Sequence, residues 1–261
     1  MDQLKAFLLY RRGETHHHEL RLLCTAAGLE PVGHDEASMD KPRPKYLVGS
    51  GTVERVSATA AELEAGAIVI DEPLSPTQQR NWEQETGLTV LDRQAVILEI
   101  FRRRATTREA KLQVELAQAE YDLPRLKNAW GHFSRQAGAS SIIRGEGEKQ
   151  LEIDRRLVQK RIATTKRELK RVEKQRSLRR NRRSQLFQAS FVGYTNAGKS
   201  TLLNRLTSAD VLVKNQLFAT LDPTTRRLRS ADGTTLLLTD TVGFVRKLPH
   251  SLVQAFHSTL E

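Results

Sequence analysis

One cysteine, Cys24, stands alone in 261 residues, and aromatic side chains make up only 5% of them. A lone thiol excludes an intramolecular disulfide framework and suits a reducing compartment. Long apolar runs are also missing. Near the N-terminus only residues 7–10 are unbroken, too few for a signal-peptide core, and no stretch has the length needed to span a membrane. A soluble, cytoplasmic protein without a membrane span is expected. Acids are scarce in one place: from residue 149 to 183 fifteen Lys and Arg face only Glu152, Asp154, Glu168 and Glu173. That surplus of eleven equals the net charge of the whole chain, +11, so the basic character belongs to one located element.

The length suggests two or three compact units. Over residues 1–92 short apolar runs alternate with amphipathic stretches. "KAFLLYR" (5–11), "YLVGSG" (46–51), "AIVID" (67–71) and "LTVLD" (88–92) read as strands. "ETHHHELRLLCTAAG", "TVERVSATAAELEAG" and "SPTQQRNWEQETG" read as helices, with Gly28 and Gly87 as C-cap candidates and Ser75-Pro76 as a start signal. This alternation implies an α/β domain with a mostly parallel sheet.

Over residues 93–186 the strand signal disappears. Leu112, Leu116, Ala119, Leu123, Leu126 and Trp130 form one apolar seam. Leu151, Val158, Ile162, Thr165, Leu169 and Val172 form a second. Joined by "GASSIIRGEGE" (138–148), the two predict an antiparallel helical hairpin (coiled coil) with a Gly-rich tip, and Pro124 should kink or interrupt its first arm. The second arm is the basic element. A solvated coiled-coil face normally balances its lysines with acids, and too few are present here. A polyanion partner is therefore expected, structured RNA met through its backbone, with Arg144, Lys149, Arg155, Arg156, Lys160 and Arg161 as candidate contacts.

Residues 187–261 open with "FQASFV", which reads as a buried strand, followed by "GYTNAGKS" (193–200), which fits G-x-x-x-x-G-K-[ST], and by the helical "STLLNRLTS". Backbone N–H groups of such a loop hold nucleotide phosphates, so Gly193, Tyr194, Thr195, Asn196, Ala197, Gly198, Lys199, Ser200 and Thr201 are candidate nucleotide-binding residues. Lys199 supplies charge at the outer phosphates and Ser200 a magnesium ligand. "TTLLLTDTVGF" (234–244) is a second strand delivering Asp240 to its C-terminal end, within Asp240-Thr241-Val242-Gly243, a D-x-x-G match. Its carboxylate would organise the Mg2+ shell, and the Gly243 N–H would meet the terminal phosphate. Asp232-Gly233 signals a hairpin, making strand 226–231 antiparallel to 234–240, as in the signalling and translation type of P-loop GTPase.

The segment "NQLFATLDPTTRRL" (215–228) is long, polar and threonine-rich. "FATLDPTTR", set between "GYTNAGKSTLLN" and "DTVGF", resembles the HflX family of ribosome-associated GTPases. The likeness extends through "YLVGSG", "LSPTQQRN", "DRQAVILEIFRRRATTREAKLQVELAQ" and "GEGEKQLEIDRRL". The resemblance implies an N-terminal α/β domain, a helical hairpin and a G domain that binds and hydrolyses GTP. It also implies binding to the large ribosomal subunit and its rRNA, and splitting or rescue of stalled ribosomes under stress, by a monomer. It places Thr220 at the switch position that closes over Mg2+ and the γ-phosphate, with Thr224 and Thr225 open on spacing alone. Lys199, Thr220 and Gly243 then form the catalytic set and Ser200, Thr220 and Asp240 the magnesium set.

Asn196 stands where potassium-assisted relatives place a K+ ligand, a simple loop amide being the alternative. Phe244 occupies the position of the water-orienting glutamine of Ras-type enzymes, so slow intrinsic hydrolysis and a partner-dependent rate are expected. The chain departs from the family in two ways. It ends at Glu261 without the N-K-x-D that reads guanine, which predicts a truncated product whose own turnover stays open, and its tip reads Gly145-Glu146-Gly147-Glu148 where the family commonly shows Gly-Pro-Gly-Glu. Two other readings remain, a nucleotide-independent rRNA-binding fragment and an ATP-driven RNA remodeller. His16, His17 and His18 fan out on a helix, so at most two could share one metal and an exposed helix turn is the simpler reading, while Cys24 suits a small core position.

Overall fold

The computed structural model describes residues 3–126, 141–181, 187–207, 217–218, 221–229 and 233–248. The chain divides into two units, residues 1–99 with 119–160 and residues 100–118 with 161–261.

In the first unit β1 (Leu4–Arg11), β2 (Leu29–Ala37), β3 (Ala67–Ile70) and β4 (Thr89–Asp92) form a four-stranded sheet of order β2-β1-β3-β4. Every pairing is parallel, as the strand–helix alternation predicts. The crossovers are α1 (His17–Ala26), α2 (Ser50–Glu62) and α3 (Pro76–Thr86). Ser75 caps α3 in a reciprocal capping box with Gln78, and Gly87 ends it at φ 68°; α1 stops at Ala27 before Gly28 at φ 80°. One core joins Phe7, Leu9, Ile68, Ile70, Val53, Val56 and Trp82. Cys24 is buried, as expected of a core residue, and burial pushes its thiol up to about 12.

Two strand assignments change. "YLVGSG" is no strand: Leu47 has φ 72°, and α2 begins at Ser50. Its apolar residues are buried because Tyr46 packs edge-to-face on Trp82, whose indole N–H donates to the Tyr46 carbonyl at 2.7 Å. The fourth strand is β2, which carries Pro31, Gly33 and three acids and so hides its period. As the edge of the sheet it tolerates proline and a register shift against β1 between Ala6 and Phe7.

Helix α4 (Arg93–Arg104) leads to α5 (Arg108–Asp122), which ends two residues before Pro124. Arg125 holds that end, donating to the Leu74 and Tyr121 carbonyls and pairing with the buried Asp92 at 3.3 Å. The long helix α6 runs Ser141–Asn181. Its seam is as predicted: Leu151, Val158, Ile162 and Val172 are half-buried and Thr165 and Leu169 buried, with Asp154 and Glu168 also half-buried beside them. The seam of α5 matches the prediction only in part. Of the predicted positions Ala119 is buried and Leu112, Leu116 and Leu123 are half-buried, while Ala110, Gln113, Val114, Ala117 and Tyr121 make up the rest of the buried stripe. Arg108 with Glu168 (3.2 Å) and Arg161 with Glu115 (2.6 Å) fix antiparallel pairing of the two helices. Residues 141–148 are helical, so the Gly-rich tip is shorter than 138–148. Extending a nucleated helix through Gly145 and Gly147 costs about 1 kcal/mol each, less than starting a new one. Residues 138–140 and Trp130 lie outside the described residues.

In the second unit β5 (Phe187–Phe191), β6 (Thr224–Arg229) and β7 (Thr235–Asp240) form a sheet of order β5-β7-β6, with α7 (Lys199–Thr207) following β5. β6 is antiparallel to β7, as the Asp-Gly signal predicts, and β5 is parallel to it. β5 is not the buried strand expected: Phe187 is 71% exposed, because among the described residues β5 is an edge strand paired only with β7.

Candidate functional site: a phosphate loop strapped by D-x-x-G

The loop between β5 and α7 turns through two left-handed residues, Asn196 at φ 59° and Gly198 at φ 86°. Asparagine and glycine are the residue types that enter that region at least cost. The Ala197 N–H donates to the Tyr194 carbonyl at 3.3 Å, and the Leu202 N–H to the Gly198 carbonyl at 2.9 Å, which starts the helix. The Lys199 ammonium lies across this loop, donating to the carbonyls of Gly193 (3.2 Å) and Tyr194 (2.7 Å). Burial lowers the lysine pKa, and the charge of Asp240 opposes that shift.

β7 brings Asp240, fully buried, to the start of α7. The Ser200 hydroxyl donates to its Oδ2 at 2.5 Å. One residue on, the Thr241 hydroxyl donates to the Phe191 carbonyl at 2.6 Å, locking the ends of β5 and β7 together. The chain then crosses back onto the loop. The Phe244 N–H donates to the Gly193 carbonyl (2.9 Å), and the Thr195 N–H donates to the Phe244 carbonyl (2.7 Å). Between these bonds Gly243 lies so close to Thr195 that a Cβ there would sit 2.3 Å from the Thr195 Cα and 2.6 Å from its nitrogen. The two motifs thus form one structure, with Gly193, Tyr194, Thr195, Lys199, Ser200, Asp240 and Gly243 brought together. Asn196, Ala197, Gly198 and Thr201 are exposed along the loop and the first turn of α7.

A residue that the sequence reading passed over holds a third strand of chain to this loop. Phe218, at φ 53° and buried, donates its N–H to the Thr195 hydroxyl at 2.7 Å. The signal was the apolar pair Leu217-Phe218 inside an otherwise polar stretch. Thr220 lies outside the described residues. Thr224 stands opposite Asp240 in the β6–β7 ladder, and the Thr225 hydroxyl is 3.0 Å from that of Thr239.

The basic candidates occupy α6. Arg155, Arg156, Lys160 and Arg161 are all exposed. Arg156 pairs with Glu152 at 2.7 Å and Arg161 with Glu115 at 2.6 Å. Arg144 and Lys149 lie in the helix, their side chains outside the described residues. Among the described residues no group of three His, Cys, Asp or Glu could hold a metal, which includes the histidines at 16–18, and no helix is long and apolar enough to cross a membrane.

A phosphate loop whose serine meets a D-x-x-G aspartate, beside one antiparallel strand pair, defines the P-loop GTP-binding class. Three family models match in sequence order: "GTP-binding GTPase N-terminal" over residues 14–102, "GTP-binding GTPase Middle Region" over 104–183, and "50S ribosome-binding GTPase" over 188–261. The chain is 49% identical over 254 residues to GTPase HflX of Chlamydia pneumoniae, covering 95% of this chain and 54% of that protein. It is 47% identical over 245 residues to GTPase HflX of Escherichia coli K12, covering 93% and 57%. The chain belongs to the HflX family of GTPases, and it spans about half the length of the curated relatives it matches. Among solved structures, a GTP-binding protein of Sulfolobus solfataricus in complex with GDP shares the fold at TM-score 0.54 and 24% identity, covering 98% of this chain and 66% of that one. The complex of SsGBP with GDP aligns at TM-score 0.58 and 27% identity, covering 98% and 67%.

Proposed function

We propose that this chain carries the nucleotide site and the RNA-binding arm of a factor that binds and hydrolyses GTP and engages the large ribosomal subunit to split or rescue stalled ribosomes. Its parts would be an N-terminal α/β domain (1–92), a helical hairpin (93–186) and the first half of a G domain (187–261). The observation that carries the reading is the convergence of Ser200 and Asp240 under the loop that Lys199 crosses. Two hard oxygen donors beside a ring of backbone N–H groups suit magnesium bound to nucleotide phosphates. Ser200 and Asp240 would hold the ion, Thr220 completing the set. Bound magnesium neutralises charge on the phosphate oxygens. Lys199 adds a point charge there, and the Gly243 N–H, held against Thr195, meets the terminal phosphate. Asn196, left-handed and exposed at the loop, would be the potassium ligand in this reading, a loop amide hydrogen bond being the alternative. Phe244 has no group that orients water, which fits slow hydrolysis until a partner supplies one. The ribosome enters through the matching model's description and through the basic face of α6.

Calorimetry on the whole protein tests the site. Lys199→Ala should weaken GTP and GDP binding at least about a hundredfold, since a charge is lost from a partly dehydrated phosphate site. Unchanged affinity would remove the phosphate-loop reading.

A further inference from the structure

Phe218 and Asp222, four residues apart in the chain, are each anchored by hydrogen bonds. Phe218 donates to Thr195 of the phosphate loop and sets its ring edge-on to Phe101 of α4, centroids 4.7 Å apart. The Asp222 carboxylate accepts from two consecutive threonines just ahead of α5. The N–H groups of Thr106 and Thr107 donate to it at 3.1 and 3.2 Å, as do the Thr106 hydroxyl at 2.5 Å and the Thr107 hydroxyl. The Thr107 Oγ1 also accepts from the Ala110 N–H at 3.1 Å, which makes it the N-cap of α5. The carboxylate therefore sits at the positive end of a fifteen-residue helix, where aligned peptide dipoles favour an anion. Burial pushes the Asp222 pKa up, but the four hydrogen bonds together outweigh it and hold the group below its ordinary value.

We propose that Asp222 is a positioning residue of the nucleotide site: its clasp on Thr106 and Thr107 couples occupancy of the phosphate loop to the first turn of α5. The coupling rests on the reading of residues 193–200 as a nucleotide-phosphate loop. The described contacts lie on both sides of residues 219–220. Thr195 holds Phe218, four residues further along the chain Asp222 holds Thr106 and Thr107, and Thr107 caps α5, which pairs with α6 through Arg108–Glu168 and Glu115–Arg161. One carboxylate making four bonds is either seated or released, the discrete kind of element that transmits a change rather than absorbing it. Linkage is reciprocal, so whatever displaces α5 must also alter the preference of the loop between nucleotides.

Hydrogen exchange of the amides at 106–111 tests this, in the whole protein loaded either with GDP or with a non-hydrolysable GTP analogue and magnesium. In the unaltered protein the two forms should differ about tenfold in protection, an ordinary coupling magnitude. In Asp222→Asn and in Thr106→Val the difference should shrink below about twofold, and the ratio of analogue to GDP affinity should move by the same factor. Thr107→Ser keeps the hydroxyl and should retain the coupling. Should Asp222→Asn fail to fold by circular dichroism, Thr106→Val, which keeps both N–H donors, carries the test. A folded variant that keeps the full difference overturns the clasp alone, as does an unaltered protein that binds both nucleotides with equal protection at 106–111. An unaltered protein that binds neither nucleotide overturns the phosphate-loop reading and the coupling together.

Discussion

Gly243 has a steric reason to be glycine that is separate from any hydrogen bond to phosphate. A methyl group there meets the backbone of Thr195 at 2.3 Å, and backbone cannot swing aside as the end of a side chain can. Gly243→Ala should displace the phosphate loop and lower GDP affinity by at least about tenfold, a loss of about 1.4 kcal/mol. Gly233 is the internal control. Its φ of 84° makes alanine strained, but nothing lies within 4 Å of the added carbon. Gly233→Ala should cost stability of about 1 kcal/mol in a thermal melt and leave GDP affinity alone. Equal affinity losses in the two would mean that Gly243 acts only through local strain. The motif spacing located Gly243 in the sequence, yet the contact with Thr195 was not legible, because it joins residues far apart in the chain. Asp222 and Phe218 were hidden for the same reason. Each makes its decisive bond to a distant partner, so neither residue type nor period marks it.

Elements were legible where local chemistry agrees with tertiary position. The capping signal at Ser75, the helix stop at Gly87 and the hairpin turn at Gly233 all lie where sequence places them. Failures came where burial and ladder separate. The apolar 46–48 segment is buried against Trp82 and bridges only Arg43, outside the sheet, whereas β2 pairs despite Pro31. The leucines of α5 marked a helix, and the predicted Ala119 lies on its buried stripe, but Ala110 and Ala117 carry too weak a hydrophobic signal to outvote the half-buried Leu112 and Leu116. The α6 seam gives a test at this scale. Leu169 is 7% exposed and Leu157 is 59% exposed on the same helix. In urea melts Leu169→Ala should cost about 2–4 kcal/mol, the range for a buried leucine. Leu157→Ala should stay within about 0.5 kcal/mol, as surface substitutions do. Comparable losses would place the packed face of α6 elsewhere than along Leu151, Val158, Ile162, Thr165 and Leu169.

Across the whole molecule most of the charge surplus read from composition falls on α6, thirteen of the fifteen Lys and Arg of 149–183 lying within its bounds, but the helix does not present all of it equally. Arg156 and Arg161 are tied to Glu152 and Glu115, so their charge is partly cancelled where it stands. Arg155, Lys160, Lys170 and Arg171 are exposed and make no ion pair among the described residues. Composition alone could not draw that distinction for Arg161, whose partner Glu115 lies on α5, whereas the Arg156–Glu152 pair lies within α6 at i,i+4. If these four residues each neutralise one RNA phosphate, binding to large ribosomal subunits should fall with salt at a log–log slope of about −3.6, since each contact releases about 0.9 counterion. A fourfold rise in salt then weakens binding roughly a hundredfold. Changing Arg155 and Lys160 together to glutamine should flatten the slope by about 1.8. Changing Arg156 and Arg161 together should flatten it less, because their carboxylate partners are released at the same time. Helical circular dichroism should survive both changes, since the seam through Val158, Ile162 and Leu169 is untouched. If the Arg155/Lys160 double variant keeps both its affinity and its slope while remaining helical, the charge of α6 is a solvated face that only keeps the helix soluble.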